Sequence, residues 1–296
     1  GVDKETIYTC YVIDKDRTLL GIVTVKDLLL ADDDEMKIQD IMITNMIYVT
    51  TKTDQEEVAQ MFSKYNFVAM PVVDNEQRLV GIVTLDDAID VLSEEFEEDV
   101  AKMAAITPTE TPYLKTTVFD IFKSRVPWLL ILMISSTLSS AILTSFESVL
   151  PAVLVLFVPM IMGTGGNSGG QSSVTVTRSI SLSEVEFSDL WRVFWKEFRV
   201  GALCGVSVGV AAFLKVVLID MLLMSNAAVT IPVALTVAVS LAFTIIAAKL
   251  VGAVLPIFAK RVGLDPAVMA SPLITTRVDA LSLIVYFFIA KGVLNI

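Results

Sequence analysis

Residues 163–171 read Gly163-Thr164-Gly165-Gly166-Asn167-Ser168-Gly169-Gly170-Gln171 and sit inside an apolar stretch covering 149–180. About 20 helical residues at 1.5 Å each cross a bilayer core. The apolar run before the glycines, 151–162, is too short to do so alone, and 172–180 resumes after them. The pattern therefore reads as two helical pieces on either side of a break. Irregular backbone at membrane depth is tolerated only where protein buries it or where it lines a wet cavity. Gly163, Gly165, Gly166 and Asn167 are accordingly candidate pore-lining residues.

Four further apolar stretches, at 128–146, 200–224, 229–258 and 271–293, bring the count of crossings to five. A composition 54% apolar and only 19% charged agrees with a membrane-embedded portion. The charge is unevenly divided. Residues 1–126 carry 12 Lys and Arg against 25 Asp and Glu, and 127–296 carry 10 against 8, within a net charge of −11. The acidic half argues against nucleic acid or anionic lipid as its partner and for cations. Absence of any His excludes Ser-His-Asp and Cys-His catalysis and imidazole metal sites, and Cys10 and Cys204 fall in regions of opposite character.

Arg178, Arg192, Lys196 and Arg199 lie between the second and third stretches, and Lys260 and Arg261 between the fourth and fifth; the intervening loops near Glu147 and Asn226 have no basic residue. By the positive-inside rule the acidic N-terminal part is cytoplasmic and the C-terminus outside, with Trp128 anchoring the first span at the interface. The fifth stretch contains Ser271-Pro272-Leu273-Ile274-Thr275-Thr276-Arg277-Val278-Asp279-Ala280-Leu281-Ser282. A charge near a helix centre costs about 2.5–3.5 kcal/mol, so Asp279 is expected to face the bundle interior or water and to be functional. Arg277 does not neutralise it, because i,i+2 side chains point to different faces.

In the acidic half, Val12-Ile13-Asp14 and Leu20-Gly21-Ile22-Val23-Thr24-Val25-Lys26-Asp27 recur as Val72-Val73-Asp74 and Val80-Gly81-Ile82-Val83-Thr84-Leu85-Asp86-Asp87, offset by sixty positions. Each copy predicts a strand ending in Asp, a polar turn, a second strand and a helix that the Thr can cap. This repeat resembles a tandem pair of CBS domains. The resemblance implies that Thr24 with Asp27, and Thr84 with Asp87, meet the phosphate and ribose of an adenine nucleotide; helix capping alone is the other reading. The first copy starts near Tyr8 without its preceding strand and helix, so the chain is expected to be N-terminally truncated.

Taken together, the glycine-rich second stretch, the Thr-Thr-x-x-Asp fifth stretch, five crossings and a CBS pair resemble the MgtE family of magnesium channels. Phe146-Glu147-Ser148, Leu255-Pro256 and Asp265-Pro266-Ala267 are similar to that family's phrases. The resemblance implies an α-helical polytopic membrane domain of five transmembrane helices preceded by an α/β CBS-domain pair. Its domains would be a partial first CBS domain at 1–45, a second at 46–92, a connecting acidic helix and linker at 93–126, and a pore domain at 127–296. It implies a homodimer in the plasma membrane, in contact with lipid, that conducts Mg²⁺ past Asp279 and the backbone of Ser271 and Thr275. Regulatory Mg²⁺ would lie at Asp54, Glu56, Asp87, Asp90, Glu95, Glu98 and Asp99, with ATP as a further regulator. No enzymatic activity is implied. Two positions depart from the family pattern, Asn66 where an acid is expected and Arg277 where an apolar residue is. A CBS-regulated transporter of another cation is the alternative.

Overall fold

The computed structural model describes residues 8–33, 35–109, 111–146 and 151–294. Glu147, Ser148 and the first residues of the second apolar stretch lie outside the described residues. The chain divides into two compact units, Gly1–Glu97 and Glu98–Ile296.

The first unit builds the sixty-residue repeat into two matching hairpins. Strands β1 (Thr9–Ile13) and β2 (Leu19–Thr24) pair antiparallel with Thr9 opposite Thr24, and β4 (Ala69–Val73) and β5 (Leu79–Thr84) pair with Ala69 opposite Thr84. Each hairpin shifts register at its equivalent position, Val12/Ile13 and Val72/Val73. The turns are made the same way. Asp14 Oδ1 accepts the amides of Asp16 and Thr18, Asp74 Oδ1 those of Glu76 and Arg78, and Arg17 and Gln77 both take positive φ. The hairpins are tied reciprocally, Leu19 N–H to the Gln77 carbonyl and Leu79 N–H to the Arg17 carbonyl.

Short helices α1 (Val25–Leu29) and α2 (Ile38–Ile41) follow the first hairpin. The short strand β3 (Val49–Thr50) runs parallel to β4, and α3 (Gln55–Tyr65) packs Val58, Ala59 and Phe62 onto Val49, Met70 and Ala88. Asn66 ends α3 in the left-handed conformation, which Asn tolerates better than most residues and which gives this position a structural duty.

Thr24 caps α1. Its hydroxyl and amide both donate to Asp27 Oδ2, at 2.6 and 2.9 Å, and hold that carboxyl below the usual carboxylate range. Because the folded-state pKa lies below the unfolded one, this contribution is present above the ordinary value and lost as pH falls through the folded one. Thr24→Val is expected to cost about 0.5–2 kcal/mol near neutral pH. The cost should shrink in acid, and urea midpoints of the two proteins at the two pH values check this; an equal loss at both would contradict it.

Helix α4 (Leu85–Met103) continues from β5 across the boundary between the units. Its apolar stripe, Ile89, Leu92, Phe96 and Val100, is exposed.

The second unit has five helical segments long and apolar enough to cross a membrane. Helix α5 (Val118–Phe146) contacts the rest mainly through α10 (Ser271–Leu294) and exposes most of its apolar side chains. Helices α6 (Ala152–Val155) and α7 (Val158–Ser181), α8 (Leu190–Lys215) and α9 (Ile231–Arg261) complete the bundle, with α7, α9 and α10 at its centre. The third helical segment begins at Phe187, well before position 200, because the basic and aromatic residues of 190–199 continue the helix.

The expected break in the second crossing is corrected by the structure: α7 runs without interruption through Gly163–Gln171. The physical reason is close packing. A Cβ on Gly205 of α8 would meet the Ala242 carbonyl oxygen at 2.6 Å, and Gly165, Gly166 and Gly169 of α7 do the same work toward α9 and α10.

Candidate cation site

Thr275 and Asp279 stand four residues apart on α10 and so share one face. Opposite them lies Gly166 of α7. A Cβ built there would meet Thr275 Cγ2 at 2.8 Å, a clash, and would lie at ordinary contact distance, 3.5 Å, from Asp279 Oδ1, so glycine is needed here for the Thr275 methyl and brings α7 close beside the carboxylate. Gly169 approaches Val278, Ile274 and the Ala248 carbonyl of α9 in the same manner, and Ala248, Ile274 and Val278 form a small apolar cluster. The α10 carboxylate is thus held half-buried against backbone, inside a span.

Gly165 and Gly166 are buried, whereas Gly163 and Asn167, four residues apart on one face of α7, are exposed. The carbonyls of 163–171 lie in a continuous helix, so the free acceptors expected from a break are not supplied there. Ser271 opens α10. Arg277 is exposed, on a different face from Asp279. Asp220, at the end of the third crossing, is paired with Lys215 at 2.7 Å.

A polar group that the sequence reading passed over joins three helices. Lys249 of α9, 5% exposed, places Nζ 3.5 Å from Ser172 Oγ of α7, and Ser172 donates at 2.6 Å to Glu197 Oε2 of α8. The signal was a lysine within the apolar stretch 229–258. An ionisable residue at such depth is kept for a reason.

Four acidic candidates of the first unit, Asp54, Glu56, Asp87 and Glu95, are engaged locally, and Asp90 is exposed on α4. Asp54 caps α3 by accepting the Glu56 amide, Gln60 donates to Glu56, Thr84 Oγ1 donates to Asp87 at 2.7 Å, and Gln55 donates to Glu95 at 2.9 Å. In the second unit Lys102 pairs with Glu98 and, at 2.6 Å, with Asp265 of the loop before α10. Burial would lower the Lys102 pKa, but these two carboxylates outweigh it and raise it. Asp99 accepts from Ser181 Oγ at the end of α7, at 2.9 Å. Among the described residues no three acids of this set stand close enough together to hold a metal.

A cavity of about 560 Å³ opens beside the first hairpin, lined by Thr24, Lys26, Asn45, Tyr11, Asn66 and Phe67 among others. Tyr11 Oη is buried there with no hydrogen-bond partner among the described residues. That orphaned phenol, a hydroxyl and an ammonium suit a polar anionic ligand. Of the four nucleotide candidates only Thr24 lines the cavity; Asp27, Thr84 and Asp87 do not.

Residues 158–289 match the MgtE family, described as divalent cation transporters, and residues 38–94 match the CBS domain. The chain is 40% identical over 99% of its length to the magnesium transporter MgtE of Thermus thermophilus, covering 63% of that protein. It is 36% identical over 98% of its length to MgtE of Bacillus subtilis, covering 62%. It thus spans about three fifths of the length of these curated relatives. A solved structure of the cytosolic domain of the Mg²⁺ channel MgtE in complex with ATP is 49% identical over 30% of this chain and 36% of that one, with a TM-score of 0.29. With a CBS pair at its N-terminus, a helical region of five candidate spans behind it, and this similarity along nearly its whole length, the chain carries an MgtE-family domain at residues 158–289 behind a CBS domain.

Proposed function

We propose that this chain forms the pore and CBS portions of a magnesium-selective channel, and that it works as a homodimer without enzymatic activity. The observation that carries this reading is the Asp279 carboxylate, half-buried in a membrane span beside the glycine backbone of α7. Mg²⁺ is small, demands near-octahedral oxygen geometry and sheds water reluctantly, so a conduit holds it through its water shell with one or two carboxylates and nearby carbonyls. Two chains around one axis supply two Asp279 carboxylates, with Ser271 and Thr275 backbone beside them. Exposed apolar residues along α4 and α5 support a partner there. Gly163 and Asn167, on the exposed face of α7, join the lining in such a dimer.

The N-terminal part is cytoplasmic and the C-terminus outside in this proposal, supported by the basic residues flanking α7, α8 and α9. We assign residues 1–45 and 46–92 to the CBS pair, 93–126 to the connecting region and 127–296 to the pore. Intracellular Mg²⁺ closes the channel by bridging Asp54, Glu56, Asp87, Asp90, Glu95, Glu98 and Asp99, whose mutual repulsion separates the soluble parts when the ion is scarce. ATP binds in the cavity at Thr24 and Tyr11 as a further regulator.

Magnesium uptake into proteoliposomes tests the activity. Competition by calcium and manganese separates a magnesium channel from a transporter of another cation. The gating step is tested by limited proteolysis: added Mg²⁺ should make residues 8–103 markedly more resistant, and the protection should survive monovalent salt that screens but does not bridge. Identical digestion with Mg²⁺ and with chelator would refute the regulatory reading.

A further inference from the structure

Lys249 has no route to the membrane surface along its own helix. Arg261, where α9 ends, lies about 18 Å further along the axis, far beyond the reach of a lysine stem. Ala248 and Gly252, on either side of it in α9, both close onto Gly169 of α7. A Cβ at Gly169 would meet the Ala248 carbonyl oxygen at 3.2 Å, and one at Gly252 would meet the Gly169 Cα at 3.1 Å. The ammonium is therefore committed to the α7–α9 interface, where the residue is 5% exposed.

Hydrogen bonding there has one possible order. An ammonium only donates and a carboxylate only accepts. Ser172, itself buried, must accept from Lys249 at 3.5 Å and give its single proton to Glu197 Oε2 at 2.6 Å. Among the described residues no direct ion pair involves Lys249 or Glu197. The ammonium thus has one long contact for its three protons, and the carboxylate of Glu197, one hydroxyl away, opposes its charge. A bolt between helices needs no charge. Ser, Asn or Gln would bond across α7, α8 and α9 without the cost of burying two ions.

The position of the pair bears on the ion path. Ser172 follows Gly166 on α7 by about 9 Å of axial rise, and Gly166 lies against Thr275 and Asp279. The ammonium is therefore on the order of 10 Å from the Asp279 carboxylate. At an effective dielectric near 20, a bare unit charge at that range shifts the occupancy of a dication by roughly a hundred-fold, whereas a cancelled pair leaves only a dipole.

We propose that Lys249 is a fixed internal cation in the wall of the ion path, and that Glu197, acting through Ser172, is the positioning residue that cancels its charge toward an ion at Asp279. This rests on the channel reading above. The experiment uses the purified full chain and three variants, Glu197→Gln, Lys249→Met and the two combined. Magnesium uptake into proteoliposomes is measured at graded magnesium concentrations, and thermal unfolding is measured in detergent. Glu197→Gln leaves the ammonium unopposed and should raise the half-saturating magnesium concentration by about ten-fold or more. Lys249→Met leaves the carboxylate unopposed and should lower it. The double variant should return to near the parent value. Both single variants should unfold several degrees below the parent and the double should recover most of that loss, because removing one partner strands a buried charge and removing both does not.

Opposite shifts in half-saturation are the mark of a charge; loss of a merely structural bond moves both single variants the same way. Shifts of one sign, or a double variant no closer to the parent than the singles, would overturn the proposal. If Glu197→Gln does not accumulate as folded protein, its recovery on adding Lys249→Met supports the pairing, and no recovery overturns it. A parent that carries no magnesium overturns the channel reading and the effect on occupancy with it, while the unfolding temperatures of the four proteins still decide the pairing.

Discussion

Asp279→Ala is expected to lower magnesium flux into proteoliposomes by about ten- to a hundred-fold per carboxylate removed, since a charge-assisted contact is worth roughly 1.5–3 kcal/mol. A dimer loses two such contacts at once. The stability readout should move the other way. An ionised side chain within a span costs about 2.5–3.5 kcal/mol near the helix centre, and Ala at 279 removes that cost while leaving the α7–α10 contact at Gly166 untouched. The variant should therefore assemble at least as well as the parent in detergent while failing to conduct. Asp279→Asn, which keeps the shape and removes the charge, should fail similarly. Asp279→Glu should retain binding but lose discrimination, because Mg²⁺ tolerates little change in site geometry. Normal flux through a folded Asp279→Ala protein would remove Asp279 from the pore.

The partly buried placement of Asp279 within a span was legible from sequence, because exposing a carboxylate to lipid is costly whatever surrounds it. The sixty-residue repeat was legible for a similar reason. Asp14 and Asp74 each organise their turn from within it, so identical local chemistry yields identical hairpins. The glycines of 163–171 misled. A missing Cβ serves either backbone freedom or close approach, and only the partner helix reveals which; here Thr275, Val278 and Ala248 occupy the space. The same limit hid the Lys249–Ser172–Glu197 connection, whose members come from three helices with no fixed spacing between them. Along α4 the acids were visible as a charge run, but Lys102 draws its meaning from Asp265, 163 positions away in sequence, through a contact no local pattern records.

Two identical substitutions on glycine should have opposite effects, and the contrast tests how α7 is built. At Gly163 an added Cβ meets nothing within 4 Å. Gly163→Ala should therefore leave the thermal transition unchanged or raise it, as Ala is favoured over Gly by about 0.8–1.0 kcal/mol in a helix interior. At Gly252 of α9 the Cβ would run into the backbone of Gly169, with its carbonyl carbon at 2.9 Å and its Cα at 3.1 Å. Backbone of a packed helix cannot rotate aside as a side chain can, so α7 and α9 must separate. Overpacking costs about 1–3 kcal/mol where side chains can adjust; with backbone on both sides Gly252→Ala should reach the top of that range or exceed it. That loss outweighs the propensity gain. Separation of α7 from α9 also displaces Gly166 from Thr275 and Asp279, so flux should fall along with stability. Thermal unfolding in detergent and flux, measured on both variants, decide the matter. If Gly252→Ala proved as stable as Gly163→Ala, the glycines would not be contact points, and a broken second crossing would again be the better description.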